Sequence, residues 1–494
     1  MTEAVAGTLV SPGIAGWDDI LGGGLPAGRL YLLQGNAGAG KTTLALQFLM
    51  EGALRGERVL YITLSETRDE MIAVAESHGW DMGAVDFFQL SEIETLTRAE
   101  TQQTMFHPGQ VELTETMRLL LDTADRVDPQ RLVFDSVSEL RLLASDPLRY
   151  RRQILALKQH FAGRHTTVLL LDDNTATGTD LHLQSLAHGV IDLEQHAQDY
   201  GIDRRRLRVR KLRGVQFRAG YHDYEILRGG MVVFPRLIAA EHRTGAILTN
   251  AGSGVDKLDA LLGGGLDRGT ATLLIGPSGV GKSTVAIQIA VAAAERGERA
   301  ALYIFDERRE TLFHRAAGLG MPLARHVEAG LIHVRQIDPA EMTPGAFAST
   351  VTGGVTANRH KVVVIDSLNG YLHAMSAERD LLLQMHELLS FLGQQDVLTL
   401  LVYAQHGMLA ASSRQGLDIS YLADTVLLFR HYEFAGRIRQ AMSVFKKRSG
   451  DHEKTIRDFH MTPHGLTLGD PLEEFHGVLT GVPIYQGNPM VAGP

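Results

Sequence analysis

The chain contains no cysteine, which excludes disulfides, zinc knuckles and thiol nucleophiles. It also lacks any stretch near the ~20 uncharged apolar residues that a membrane span requires. Its first residues, Met1-Thr-Glu-Ala-Val-Ala-Gly7, have neither the basic region nor the apolar run of a signal peptide. A basic excess is missing too. The formal net charge of −9 argues against a surface built as a whole to seek nucleic acid. We therefore expect a cytoplasmic protein with no membrane partner, and a nucleic-acid partner is disfavoured. The 21 histidines show no H-E-x-x-H or other metal-ligand spacing, so His188, His406 and His431 read as core or surface residues. Ser136 and Ser367 have no G-x-S-x-G surroundings, and a hydrolase nucleophile is unsupported. What remains is ordinary globular material, 44% hydrophobic and 21% charged, enough for sizeable cores.

Against this background one motif stands out twice. Gly35-Asn-Ala-Gly38-Ala-Gly40-Lys41-Thr42 and Gly276-Pro-Ser-Gly279-Val-Gly281-Lys282-Ser283 both fit G-x-x-x-x-G-K-[ST] at an offset of 241 residues. Arg29–Gln34 and Thr272–Ile275 read as buried strands entering the loops, and Thr43–Met50 and Thr284–Ala290 as the helices that follow. Glycines let backbone N–H groups turn around phosphates, and the helix N-terminus adds positive potential. Lys41 or Lys282 then reaches the outer phosphates, and the hydroxyl of Thr42 or Ser283 faces Mg2+. Thr43 and Thr284 complete the two loops. A glycine-rich turn without function would not need this strand–loop–helix setting.

The repetition extends outward. Trp17–Leu25 matches Leu258–Leu266 and Arg55–Ile62 matches Arg296–Tyr303, with Gly56 and Gly297 at helix-ending positions. Leu132–Ser136 matches Val363–Ser367 at an offset of 231, so the first copy carries a longer excursion, expected within Thr95–Pro108. We expect one domain over 1–240, a second over 241–470 and a C-terminal tail over 471–494. Strand–helix alternation implies an α/β fold, with a mostly parallel sheet flanked by helices in each domain.

Ligands in such sheets sit beyond the carboxyl ends of the strands. Asp135 and Asp366 each close an apolar run, so each is expected beside its phosphate loop as the metal-orienting carboxylate. The strand after each loop helix ends in Ser65-Glu66 or Asp306-Glu307. A carboxylate there can orient or deprotonate the attacking water, which makes Glu66, Asp306 and Glu307 the candidate catalytic acids. A solvated, charge-rich strand end is the alternative reading.

From the Leu-Gly-Gly-Gly-Leu segments through both loops to Gly477-Val-Leu-Thr-Gly-Val-Pro483, the chain resembles the KaiC-type double-domain ATPases of the RecA-like superfamily. The resemblance implies two tandem RecA-like P-loop domains, ATP and Mg2+ as cofactors, and a two-tiered homo-hexamer with ATP at subunit interfaces. It implies a regulatory protein partner, either a clock-type regulator or a sensor kinase. It also implies that Lys211-Leu212-Arg213 and Lys446-Lys447-Arg448 reach the nucleotide of the adjacent subunit, where a cation acts in trans. Family members usually carry paired glutamates where this chain has Ser65-Glu66 and Asp306-Glu307. Ser420 stands at the position of a phospho-acceptor, with Tyr421 in place of a threonine, so serine autophosphorylation is an expectation tied to Ser420. The adjacent Arg204–Arg210 run alternates basic and apolar residues. It reads as a half-buried strand with one charged face at a solvated edge, or as a nucleic-acid or subunit interface. A nucleic-acid-dependent ATPase of the RecA, RadA or DnaB kind is the alternative function.

Overall fold

A computed structural model describes residues 8–89, 108–144, 146–173, 181–198, 200–242, 249–374, 381–405, 419–463, 465–479 and 483–486. The expected excursion at Thr95–Pro108, apart from Pro108 itself, lies outside the described residues, as does His406. The chain divides into two compact units between Arg236 and Leu237.

The first unit is built on a nine-stranded sheet. Edge to edge its strands are Gly230–Phe234, Tyr221–Leu227, Arg204–Leu212, Gly189–His196, Leu30–Gly35, Thr167–Asp173, Arg131–Asp135, Val59–Thr63 and Asp86–Gln89. The six strands from Gly189–His196 to Asp86–Gln89 pair in parallel, and the other three continue antiparallel. The second unit repeats this plan with nine strands in corresponding order, Ala271–Gly276 taking the place of Leu30–Gly35. Both sheets are thus mostly parallel and flanked by helices, as expected.

Parallel strands covered on both faces must be apolar throughout, and every residue of Leu30–Gly35 is buried. Two layers of side chains sandwich each sheet. In the first unit, one layer holds Leu33, Leu44, Phe48 and Tyr61 and the other holds Leu32, Phe134, Ile154 and Leu170. Burial of each such side chain stabilises by roughly 1.5–3 kcal/mol. The phosphate-loop helices, Lys41–Leu54 and Lys282–Glu295, bury residues on most of their circumference, so the sheet and its neighbours fix their position. Glycine is required where each helix begins. Gly40 and Gly281 have φ of 88° and 98°, and a Cβ on Gly40 would meet Ile226 Cδ1 at 2.5 Å.

The basic run departs from expectation. Arg204–Leu212 is an interior strand, flanked by Gly189–His196 and Tyr221–Leu227, because two further strands continue the sheet beyond it. Its charges are partnered locally. Arg210 Nε lies 2.5 Å from Asp192 and Arg206 3.5 Å from Glu194, while Arg206 and Arg208 lie over the Tyr221 ring at 4.7 and 5.4 Å. The solvated-edge reading is corrected accordingly.

The tail is partly folded onto the second unit. Phe475–His476 pairs antiparallel with Ile484–Tyr485, and Phe475 and Val478 pack with Tyr432, Phe434 and Ala441. Residues 487–494 lie outside the described set.

Candidate functional site

In each unit the strand preceding the phosphate loop lies centrally, and its neighbour's carboxyl end faces the same cleft. In the first unit, Lys41 is 8% exposed and donates to the carbonyls of Gly35 and Asn36, each at 2.9 Å. Its ammonium also lies 2.7 Å from Asp173 Oδ1. Gly38, Gly40, Thr42 and Thr43 follow the loop into the helix, with Thr43 buried. Thr42 Oγ1 is 3.5 Å from Asp135 Oδ2, and the same carboxylate oxygen accepts from the Tyr61 hydroxyl at 2.5 Å. Burial pushes the Asp135 carboxyl above its usual range. The Tyr61 bond opposes that rise, and Asp173 and Glu66 reinforce it. Asp135 therefore feels both Asp173 and Glu66 in this cleft. Ser65 and Glu66 are exposed at the strand end, their N–H groups held by Thr63 Oγ1.

The second unit gathers a fuller set. A cavity of about 1460 Å3 is lined by Gly279, Gly281, Lys282, Ser283, Thr284, Asp306, Glu307, Arg315 and Asp366, together with Phe434 and the tail residues Phe475 and Tyr485. Lys282 donates to the carbonyl of Pro277 at 2.7 Å, and burial lowers its ammonium to about 8. Burial raises Asp366 to about 6, opposed by a hydrogen bond from Ser283 and by Arg315. The acidic pair is divided. Asp306 accepts from the Ser367 hydroxyl, whereas Glu307 accepts two bonds from Arg315, at 2.6 and 3.2 Å. Arg315 also donates to Thr284 Oγ1 at 2.9 Å. In the first unit a groove of about 510 Å3 between Arg68, Trp80 and Phe87 contains none of the expected site residues.

The two cationic segments differ. Lys211 and Arg213 donate to the carbonyls of Gln184 and Ser185, with Leu212 buried between them. Lys446 donates to the carbonyls of Ser420 and Ala423 at 2.9 and 2.7 Å, and Arg448 lies 3.4 Å from Asp424. Lys447 points inward, its side chain 3% exposed and 3.3 Å from Asp267, where it donates to the carbonyls of Leu262 and Gly265. Strand alternation explains this: Lys447 pairs with Thr425 as Leu212 pairs with Gly189, so both occupy an inward position. Ser420 sits in a short 3-10 turn, Ile419–Leu422. His188 Nδ1 accepts from the Leu30 N–H at 3.2 Å and His431 lines the second cavity.

Oxygen donors of this kind, a hydroxyl beside a carboxylate, suit a hard divalent cation that keeps most of its other positions for water and phosphate. Thr42 with Asp135, and Ser283 with Asp366, fit Mg2+ on that chemistry. Among the described residues no helix is long and apolar enough to cross a membrane.

Sequence reasoning missed Arg315, Asp173 and Tyr61. Aligning the two copies would have flagged each, because their counterparts are Val74, Ala404 and Leu302.

Comparison with known proteins agrees with this doubled geometry. The chain is similar to the circadian clock protein KaiC3 of Synechocystis sp., with 26% identity over 481 residues, covering 96% of this chain and 94% of that protein. It is similar to the circadian clock oscillator protein KaiC of Synechococcus elongatus, with 25% identity over 477 residues, covering 95% and 91%. KaiC of Acaryochloris marina is 25% identical over 483 residues, covering 96% and 91%. The family model described as "ATPase: KaiC" matches twice, over residues 10–238 and 251–473, and the chain thus belongs to the KaiC ATPase family.

Proposed function

We propose that this protein is a clock- or signalling-type ATPase with one nucleotide site in each of two domains, 1–240 and 241–470. The observation that carries this reading is the repeated pairing of a phosphate-loop hydroxyl with a strand-end aspartate, Thr42 with Asp135 and Ser283 with Asp366. Lys41 and Lys282 bind the outer phosphates of ATP. Mg2+, held by those hydroxyl–carboxylate pairs, neutralises charge on the phosphates when bound. Glu66 in the first site accepts the proton of the attacking water, and Asp306 and Glu307 orient water in the second. Lys211, Arg213, Lys446 and Arg448 act on a neighbouring subunit's nucleotide in a two-tiered homo-hexamer. Lys447, turned toward Asp267, instead braces the glycine segment at Leu262–Gly265. A clock-type regulator or sensor kinase reads the ring in the cytoplasm.

Ser420 is the proposed autophosphorylation site of the second domain. Its carbonyl is tied to Lys446, which links the acceptor turn to a nucleotide-sensing cation. Mass spectrometry after incubation with Mg-ATP should find phosphate on Ser420, and its absence would sink the autokinase reading.

The ATPase reading is tested by sizing the protein with and without Mg-ATP, and by phosphate release from Lys41→Ala and Lys282→Ala. Each substitution should remove its own site's turnover. If neither lowers phosphate release, both site assignments fail. A nucleic-acid-dependent ATPase is disfavoured by the local pairing of Arg206 and Arg210 with Glu194 and Asp192. Clear stimulation by single-stranded DNA would reverse that choice.

A further inference from the structure

We propose that Asp173 is the second acid of the first nucleotide site, taking the place left by Ser65. The inference rests on the ATPase reading above and adds a residue to it. Asp173 ends the strand beside the phosphate-loop strand, and the sheet register sets it directly against Gly35. The same register in the second unit sets Ala404 against Gly276. One unit thus carries a carboxylate at this point of the cleft and the other carries a methyl group. The second unit already has two acids, Asp306 and Glu307, at its other strand end, whereas the first has Ser65 and Glu66.

The position of Asp173 is braced. Its N–H donates to Ser138 Oγ at 2.9 Å, and the preceding Asp172 is held by Gln34, Ser138 and Arg141. Its own side chain remains 34% exposed, with Oδ1 2.7 Å from the Lys41 ammonium. That ammonium is the group a triphosphate must claim. Asp173 therefore competes with nucleotide for Lys41. Once displaced it remains a second carboxylate, with Glu66, at the edge of the terminal phosphate. There it accepts one hydrogen bond from the attacking water. The water oxygen bonds to the terminal phosphorus while the bond from that phosphorus to its bridging oxygen breaks toward ADP. The water proton passes to Glu66 and then to the phosphate product.

A carboxylate that merely supported Lys41 would behave in the opposite way, since its removal would weaken nucleotide binding. The test uses the full chain carrying Lys282→Ala, so that only the first site turns over. ATP binding and phosphate release are measured for added Asp173→Ala and Asp173→Asn. Asp173→Ala should bind ATP about fivefold more tightly, the equivalent of one partly screened ion pair, while kcat falls by about tenfold to a hundredfold. Asp173→Asn, which keeps the shape and one acceptor oxygen, should also bind more tightly and recover part of the lost turnover. Weaker binding by both variants, or parental kcat in Asp173→Ala, overturns the assignment. Lys41→Ala in the same background separates the two readings. If that variant still turns over, the hydrolytic reading of the first site fails, rather than the role of Asp173 alone.

Discussion

Arg315 grips Glu307 through two hydrogen bonds and, with a third, ties it to Thr284 of the phosphate-loop helix. A guanidinium used in this bidentate way fixes the direction of a carboxylate as well as attracting it. The helix Arg309–Gly318 supplies it, and the first unit has Val74 at the corresponding position. The glutamates of the two sites are therefore held differently. Glu66 is exposed at its strand end, and Glu307 is locked to the loop that binds phosphate.

Arg315→Val transfers the first unit's residue to the second. With Lys41→Ala silencing the first site, phosphate release by the second should lose about tenfold to a hundredfold in kcat, because a displaced carboxylate no longer meets the water. KM should change far less, since Lys282 and the loop remain. A fall confined to KM would instead make Arg315 a nucleotide-binding residue. Stability should drop by no more than about 1 kcal/mol, as both partners are roughly a quarter exposed.

The second site should also bind Mg-nucleotide within a limited pH window. Asp366 is raised to about 6 and must be ionised to hold the cation, so affinity should fall as pH drops below about 6. Lys282 is lowered to about 8 and must be protonated to hold phosphate, so affinity of the empty site should fall as pH rises above about 8. Calorimetric titration of the Lys41→Ala protein across pH 5 to 9 should give a bell-shaped affinity profile. A flat profile would show that neither group titrates in the range that burial imposes.

The phosphate loops and their aspartates were legible because backbone geometry dictates them. Gly40 and Gly281 begin their helices at positive φ, and Asp135 and Asp366 end strands where apolar residues must stop. Lys447 was not legible as an inward residue, because its direction depends on pairing with Thr425, a register that spacing alone does not supply. Arg315 pairs with an acid eight residues earlier, which requires knowing that a helix starts at Arg309 and folds back toward the loop. Asp173 ends an otherwise largely apolar strand. Only the central position of Leu30–Gly35 brings it to Lys41.

Arg131 offers a test of the first unit's stability. Its side chain is 1% exposed and its Nε lies 2.5 Å from Glu57, while Nη1 donates to the carbonyls of Ser11 and Phe48 at 2.8 and 2.9 Å. Arg131→Ala removes this buried side chain and leaves the carbonyls of Ser11 and Phe48 without their donor, while Glu57, 27% exposed, remains solvated. The substitution should cost about 3–5 kcal/mol, read as an earlier transition of the first unit in urea. Glu57→Gln keeps the hydrogen-bonding shape and should cost less. Equal losses would mean that the charge pair dominates over packing against Phe48, 4.9 Å from the guanidinium, because Glu57→Gln leaves that packing in place.

The last prediction concerns Tyr61, whose hydroxyl donates to Asp135 at 2.5 Å where the second unit has Leu302. That bond favours the ionised carboxylate against the burial that raises it. Tyr61→Phe removes the donor and leaves the ring in place, so the Asp135 carboxyl should rise further and hold its proton to higher pH. Mg2+ affinity of the first site should consequently weaken, most strongly at acidic pH, with the loss shrinking as pH rises. Stability should fall by about 1–2 kcal/mol for the lost buried hydrogen bond. Mg2+ titrations at pH 5.5 and 8 in the Lys282→Ala background provide the check. An equal loss at both pH values would assign Tyr61 a packing role and remove it from the electrostatics of the site.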